Sequence, residues 1–303
     1  MMSFQRFKYK CIVCFVVYIL HTTQSIAQPP FLPPSDQFRK DRLEKVVLSE
    51  ALIFTATSIG LYYLWYKKFP KKKFHTFNDG REWMQIDKIG HATTAYNISS
   101  MQYDLMRWCG VQRNDAILSA TLTSMLYLSI IEVMDGCSKN WGFSGYDMLA
   151  NFSGTALFAA QQYGWNEQRI GMKVSARMTP FAKENKRLLG NNWPSRLMKD
   201  YNGQTYWLSL NLRSFLPVNS SIPEWTNLSI GYAASGMTTA FPSNESSEKR
   251  YRRFFIAPDA DLFRIRTENS LESAAYLGKF IKIPAPAIEF NSKRKFKLHV
   301  IYF

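Results

Sequence analysis

The sequence predicts an α+β fold, a helical bundle followed by an antiparallel β-rich C-terminal region. Two observations carry that prediction. Up to Tyr163 the chain is a series of apolar segments at helical spacing, each broken by a few charged groups. After Gly164 the apolar period changes from about 3.6 residues to about 2. A third observation, the character of residues 1–27, bounds where the protein resides.

Residues 1–27 read as a secretory signal. Arg6, Lys8 and Lys10 form a basic start, Cys11 to Leu20 an apolar stretch, and Ser25-Ile26-Ala27 a small-residue cleavage site, so the mature chain is expected to begin at Gln28. The competing reading is an uncleaved anchor, because the apolar run and its flanks nearly span a bilayer. Val13 precedes Cys14 where a lipid-attachment site needs a small residue, so lipidation is not expected. The formal net charge is +15, and the chain stays basic after loss of the leader. The excess could mean nucleic acid, but export argues against it. Membrane lipids or lipopolysaccharide, together with other envelope proteins, are the expected partners, with Lys67-Lys68-Phe69-Pro70-Lys71-Lys72-Lys73 as the densest basic cluster. The same cluster reads equally as the flank of a membrane helix.

Gln28 to Pro34 is Pro-rich and opens a linker that runs through a polar lead-in to residue 45. Val46 to Tyr66 is the first helix and the best transmembrane candidate, mostly apolar and closed by aromatic residues and lysines, although Glu50 sits near its start. The second helix is expected over Trp83 to Trp108, with Gly110 as its stop, and the third over Asn114 to Met134, capped by Asn114. Ser144 caps the fourth, which runs to Tyr163. The intervening loop, residues 136–145, is short enough to make the third and fourth helices neighbours. Cys109 and Cys137 end successive antiparallel helices, roughly 35 Å apart at about 1.5 Å per residue, beyond disulfide reach. Both are expected to be small buried residues.

In the C-terminal half, Tyr206, Leu208, Leu210 and Leu212 alternate with Trp207, Ser209, Asn211 and Arg213 behind the turn signal Asn202-Gly203. Further strands are expected at Gln168 to Arg177, Trp225 to Ala233, Tyr251 to Ile256, Phe280 to Ile283 and Phe296 to Phe303. The last of these alternates as outer-membrane barrel strands do, except that Lys297 and His299 share the parity of Phe303. A membrane barrel needs at least about eight strands, so a sheet packed beside the helices is the more economical expectation. The outer membrane is the favoured location, and an inner-membrane protein with a periplasmic C-terminal region is the alternative.

The helices carry polar stripes. Asp87 and His91 share a face at a spacing of four, with Lys88 beside them; Glu132 and Asp135 are three apart; Asp147, Asn151 and Gly154 follow one another along a face. Charges inside apolar helices are costly unless they meet, so Asp87, Lys88, His91, Glu132, Asp135, Asp147 and Asn151 are expected to form one buried polar network. Gly154 would let a neighbouring helix come close. Three chemistries suit such a cluster. Asp87, His91, Glu132, Asp135 and Asp147 offer oxygen and imidazole ligands to a divalent metal. Alternatively His91 is a general base or nucleophile oriented by Asp87 or Asp135, with the same five residues as catalytic candidates. In the third, Lys88 pairs with Glu132 or Asp135, His91 bonds to Asp147, and the network is structural. Whether the protein is an enzyme stays open at this level.

Asp87-Lys88-Ile89-Gly90-His91 followed by Tyr96, then Glu132-Val133-Met134-Asp135-Gly136, then Gly142-Phe143-Ser144 with Asp147 and Asn151 through Gly154, resembles the VanZ-like and YfiM-like superfamily. The wider chain, including Phe77-Asn78-Asp79 and the run from Lys199 to Trp207, looks like an uncharacterised Bacteroidota family of exported envelope proteins, often labelled predicted periplasmic lipoproteins. The resemblance implies an envelope location and a VanZ-like, membrane-associated helical core over residues 46–163, with residues 164–303 as the β-rich region. It implies no established activity. Two functions follow: a structural or amphiphile-binding role around the polar cluster, or a hydrolase or transferase acting on a lipid- or glycan-linked phosphate.

Overall fold

A computed structural model describes residues 32–67, 69–217, 219–241, 250–265 and 272–303, and the signal peptide expected at 1–27 lies outside them. Four long helices come first: α1 (Lys40–Leu61), α2 (Ile86–Trp108), α3 (Arg113–Gly136) and α4 (Gly145–Trp165). Helix α1 starts at Lys40 because the polar lead-in, Lys40-Asp41-Arg42-Leu43-Glu44-Lys45, is made mostly of good helix formers, so only the first part of the expected linker is non-helical. It runs on into a π-helical turn at Tyr62–Tyr66. Among the described residues, Lys40–Tyr66 and Arg113–Gly136 are long and apolar enough to cross a membrane.

Helix α2 begins later than its periodicity suggests, because Trp83, Met84 and Gln85 all have positive φ (46°, 52° and 64°). Helix α3 begins at Arg113 behind Gln112, which makes no side-chain cap, so Asn114 lies in the first turn and is not the cap. Ser144 does cap α4, its hydroxyl accepting the Asp147 N–H at 3.0 Å. Helix α3 turns the row Ala116, Ala120, Ser124, Leu128 and Glu132 inward and leaves Leu118, Leu122, Leu126 and Ile130 exposed. The small inward residues let α2 close on it, and the Ser124 hydroxyl donates to the Ala95 carbonyl at 2.9 Å. Helix α4 meets α2 at Gly154, where a Cβ would stand 1.9 Å from the Ala92 carbonyl oxygen. Cys109 is buried but Cys137 is exposed, contrary to expectation, because α3 ends at Gly136 and leaves Cys137 in the loop beyond; both are free.

The β-rich half is a six-stranded antiparallel sheet in sequential order: β1 (Ile170–Ala176), β2 (Gln204–Asn211), β3 (Thr226–Ser235), β4 (Tyr251–Ala260), β5 (Ala285–Asn291) and β6 (Phe296–Tyr302). The helices α5 (Lys186–Leu189) and α6 (Trp193–Lys199) lie between β1 and β2, and α7 (Glu272–Leu277) precedes β5. The segment Phe280 to Ile283 is not a strand of the sheet. It forms an isolated parallel bridge, Ile281 to Val174, along the free edge of β1. The fifth strand falls instead at 285–291, where Pro286 hides it from sequence patterning because proline cannot donate to the ladder. That proline sits where the β5–β6 register shifts between Ala285 and Ala287. The irregularity resets the alternation of β6, so both His299 and Tyr302 turn inward, which resolves the parity conflict at the end of the chain. The sheet curls until the Tyr302 hydroxyl lies 2.9 Å from Thr205 Oγ1 of β2. On its other face, Met172 of β1 packs under Tyr96 and Phe158 of the helices.

Candidate functional site: an acid-floored cavity at the helix ends

Helices α2 and α4 start, and α3 finishes, at the same end of the bundle. The polar stripes therefore meet at that end and not in the middle of the bundle. The entry to α2 is set by the left-handed run Trp83-Met84-Gln85, which costs about 1–2 kcal/mol per residue. The sheet holds it in place: the Tyr232 hydroxyl and Arg252 Nη1 donate to the Met84 carbonyl at 2.6 and 3.2 Å, and Arg252 Nη2 donates to Gln85 Oε1 at 2.6 Å. The Trp83 N–H donates to the Ala240 carbonyl at 3.1 Å.

Directed by that turn, Lys88 Nζ lies 2.5 Å from Asp79 Oδ2, 2.7 Å from Asp147 Oδ1 and 3.0 Å from Asp87 Oδ2. Its expected pairing with Glu132 or Asp135 does not form. A side chain on the first turn of a helix leans back toward the N-terminus, which takes Lys88 to the 79-loop and the start of α4, whereas Glu132 lies deeper beside His91. The His91 ring presents Nδ1 to Asn151 Oδ1 at 3.1 Å. Its Nε2 stands 3.7 Å from Glu132, 3.9 Å from Asp147 and 4.0 Å from Asp87, so the expected hydrogen bond to Asp147 is replaced by one to Asn151, one helical turn further along α4. Glu132 Oε2 accepts the Ser144 N–H at 3.2 Å, and the Ser144 hydroxyl donates to Asp79 at 2.5 Å. Asp135 stands off to one side, accepting from the Tyr66 hydroxyl at 2.8 Å. Glu132 Oε1 and Asn151 Nδ2 are buried without a hydrogen-bond partner.

These groups floor a cavity of about 970 Å³. Its floor presents Asp79, Glu82, Asp87, His91, Asp135 and Asp147; its walls are Gly60, Leu61, Leu64 and Trp65 from the α1 segment, Leu128 and Ile131 from α3, and Val174 and Tyr206 from the sheet. Helix α1 closes the roof through few contacts, among them a stack of Phe54 on Tyr127 (4.4 Å) and a 2.7 Å hydrogen bond between Thr57 and Tyr127. Burial, reinforced by the negative charges of Asp87 and Asp79, pushes the Glu82 carboxyl up to about 7. Burial and the adjacent Asp87 likewise hold the Tyr201 phenol well above its ordinary value. One ligand atom each from Asp87, His91 and Asp147 lies within 4.8 Å of the others, a spacing that could hold a metal ion, with the Lys88 ammonium against the same two carboxylates.

Sequence reasoning missed Asp79, Glu82, Tyr66 and Tyr201. Tyr201 donates to Asp87 Oδ1 at 2.8 Å from 114 residues away. The signals present were the Phe77-Asn78-Asp79 and Lys199-Asp200-Tyr201 motifs, which carried a resemblance but no role.

The fold and the site define a class, an α+β protein with an acid-floored cavity under apolar walls. Residues 76–163 match the family model described as predicted periplasmic lipoprotein (DUF2279), and that span contains helices α2 to α4 almost whole. The family's description agrees with a cell-envelope location. No curated protein and no solved structure matches the chain.

Proposed function

We propose that the protein binds an amphiphile, its polar head on the acidic floor and its apolar part between α1 and α3. The observation that carries this reading is the cavity, with an apolar wall and a charged floor in one enclosure large enough for a drug-sized or lipid-sized fragment. In this reading the helical core is VanZ-like and held at a membrane, supported by the two segments long and apolar enough to cross one. Gly60 offers a clean test. It lines the cavity, and a Cβ built there meets nothing within 4 Å, so Gly60→Trp puts a bulky side chain at the cavity wall with no clash at its Cβ. Native mass spectrometry of the detergent-extracted protein is expected to show a co-purifying lipid-sized adduct that Gly60→Trp loses. Identical adducts in both proteins, or none in either, would remove the proposal.

The spacing of Asp87, His91 and Asp147 favours a second reading, a metal-assisted hydrolase or transferase acting on a lipid- or glycan-linked phosphate. Lys88 weighs against it, since its ammonium is already paired with two of the three ligands. Metal analysis of the purified protein beside His91→Gln separates the readings: stoichiometric metal that His91→Gln loses supports the second.

A further inference from the structure

In a water-soluble sheet with one covered face, apolar residues turn inward and polar residues outward. Here the inner side mixes Trp207, Phe255 and Tyr302 with buried charge, and the outer side carries exposed apolar residues. The concave side of the curled sheet buries charge: Lys173 Nζ and Lys282 Nζ lie 2.9 and 3.5 Å from Asp259, the Ser209 and Ser229 hydroxyls donate to Asp259 at 2.6 and 3.0 Å, and Arg253 grips Glu289 with two hydrogen bonds of 3.0 and 2.7 Å. On the convex side Met172, Tyr206 and Tyr232 pack against the helices, and the remainder is exposed hydrocarbon. Leu228, Ile230, Phe254, Ile256, Leu298 and Val300 are exposed, the last two at 73 % and 74 %. They fall in register across the strands, Ile230 opposite Ile256, Ile256 opposite Ile288 and Ile288 opposite Leu298, so they form a continuous belt.

The helices repeat the pattern. Helix α4 buries Asn151, Thr155, Gln161 and Gln162 while exposing Leu149 and Phe152, and α3 buries Ser124 and Glu132 while exposing Leu122 and Leu126. One end of this belt is strongly basic. The hairpin between β5 and β6 carries Lys293, Arg294 and Lys295, all exposed. Arg252 joins that end of the sheet to the start of α2 through Gln85. The start of α2 in turn lies beside the end of α3, where exposed Lys71, Lys72 and Lys73 run along the 136–143 loop.

We propose that the convex face of the sheet and the outer faces of α3 and α4 are covered by the acyl chains of an anionic bilayer, with the basic end at its phosphates. Acyl chains are the occupant that matches the chemistry: they accept apolar area at roughly 25 cal/mol per Å² withdrawn from water, and the lysine and arginine rim complements anionic headgroups. The proposal does not depend on what the cavity holds.

Spin labels test it on the full chain reconstituted into vesicles of phosphatidylglycerol and phosphatidylcholine. In a Cys137→Ser background, nitroxides are attached at Ile230→Cys, at Leu298→Cys and, at the hairpin tip, at Lys293→Cys. Labels at 230 and 298 are expected to collide several-fold more with oxygen than with a water-soluble nickel chelate, and the label at 293 to show the opposite. Nickel collisions at 230 and 298 equal to those at 293 would overturn the proposal, as would low collision with both quenchers, which would mean a protein surface such as a second copy covers the face. Flotation with pure phosphatidylcholine vesicles is expected to be several-fold weaker than with phosphatidylglycerol. Equal flotation would overturn the anionic part.

Discussion

Two buried charge clusters in this molecule, one inside the sheet and one at the helix ends, are built differently. In the sheet, Asp259 sits between two lysines and two serine hydroxyls, and Glu289 between Arg253 and His299, with Trp207, Phe255 and Tyr302 filling the remaining space. At the helix ends, Lys88 and His91 are outnumbered by Asp79, Asp87, Glu132 and Asp147, and an open cavity adjoins them; each cluster also holds buried polar atoms without a hydrogen-bond partner, Glu132 Oε1 and Asn151 Nδ2 here and Arg253 Nη1 and Asp259 Oδ1 in the sheet. Buried charge is common to both. What distinguishes the second is an imbalance beside a space, and that is the condition under which a ligand can supply the missing partner.

The sharpest way to break this contrast is Asp259→Ala, which leaves Lys173 and Lys282 buried together without their carboxylate. Loss of one partner of a buried ion pair costs about 3–5 kcal/mol. Most folded protein should be lost on thermal denaturation or limited proteolysis, and a wild-type melting profile would show that water reaches Lys173 and Lys282 in the sheet cluster. Next comes Gly154→Ala, whose methyl would press on the Ala92 backbone. Overpacking of this kind costs about 1–3 kcal/mol, and a lowered denaturation midpoint with α2 and α4 forced apart is the expected result.

Asp87→Asn sharpens the comparison from the other side. It keeps the shape of the site and removes a charge bonded to Lys88 and Tyr201. A loss of about 1.5–3 kcal/mol is expected, the usual value of a hydrogen bond to a charged group, together with loss of the lipid adduct. A destabilisation as large as that of Asp259→Ala would make the two clusters equivalent.

The smallest effect is pH-linked and belongs to Glu82. Its folded-state value of about 7 stands above the ordinary 4.5. The native state therefore holds the proton more tightly than the unfolded chain, and the contribution of Glu82 to stability is greatest below pH 4.5 and declines as pH rises through 7. Melting temperatures measured between pH 5 and 8 should fall less steeply for Glu82→Gln than for the natural chain. An unchanged slope would show that Glu82 is solvated.

Much of the helical half was legible in the sequence. Ser144 was readable as a cap and Gly154 as a point of close approach, because each acts through spacing along one helix or one neighbour. The partners of Lys88 were not readable. They come from a loop at Asp79 and from the first turn of α4, and the direction of Lys88 depends on three left-handed residues that no propensity favours. In the sheet, the alternation of β2 was plain, yet a two-residue period says only that two faces differ. It does not say which one meets water.

By itself, then, the sequence determined the α+β order, the four helices and most of the strands, and the residues that had to find polar company, since periodicity and burial cost are local properties of the chain. Only the tertiary structure decided that the stripes meet at one end of the bundle, that Tyr201 and Asp79 join them, and that the sheet turns its charges inward and leaves much of its outer face apolar and exposed. Those outcomes rest on contacts such as Arg252 to Gln85, 167 residues apart, whose pairing depends on how the sheet curls against the helices.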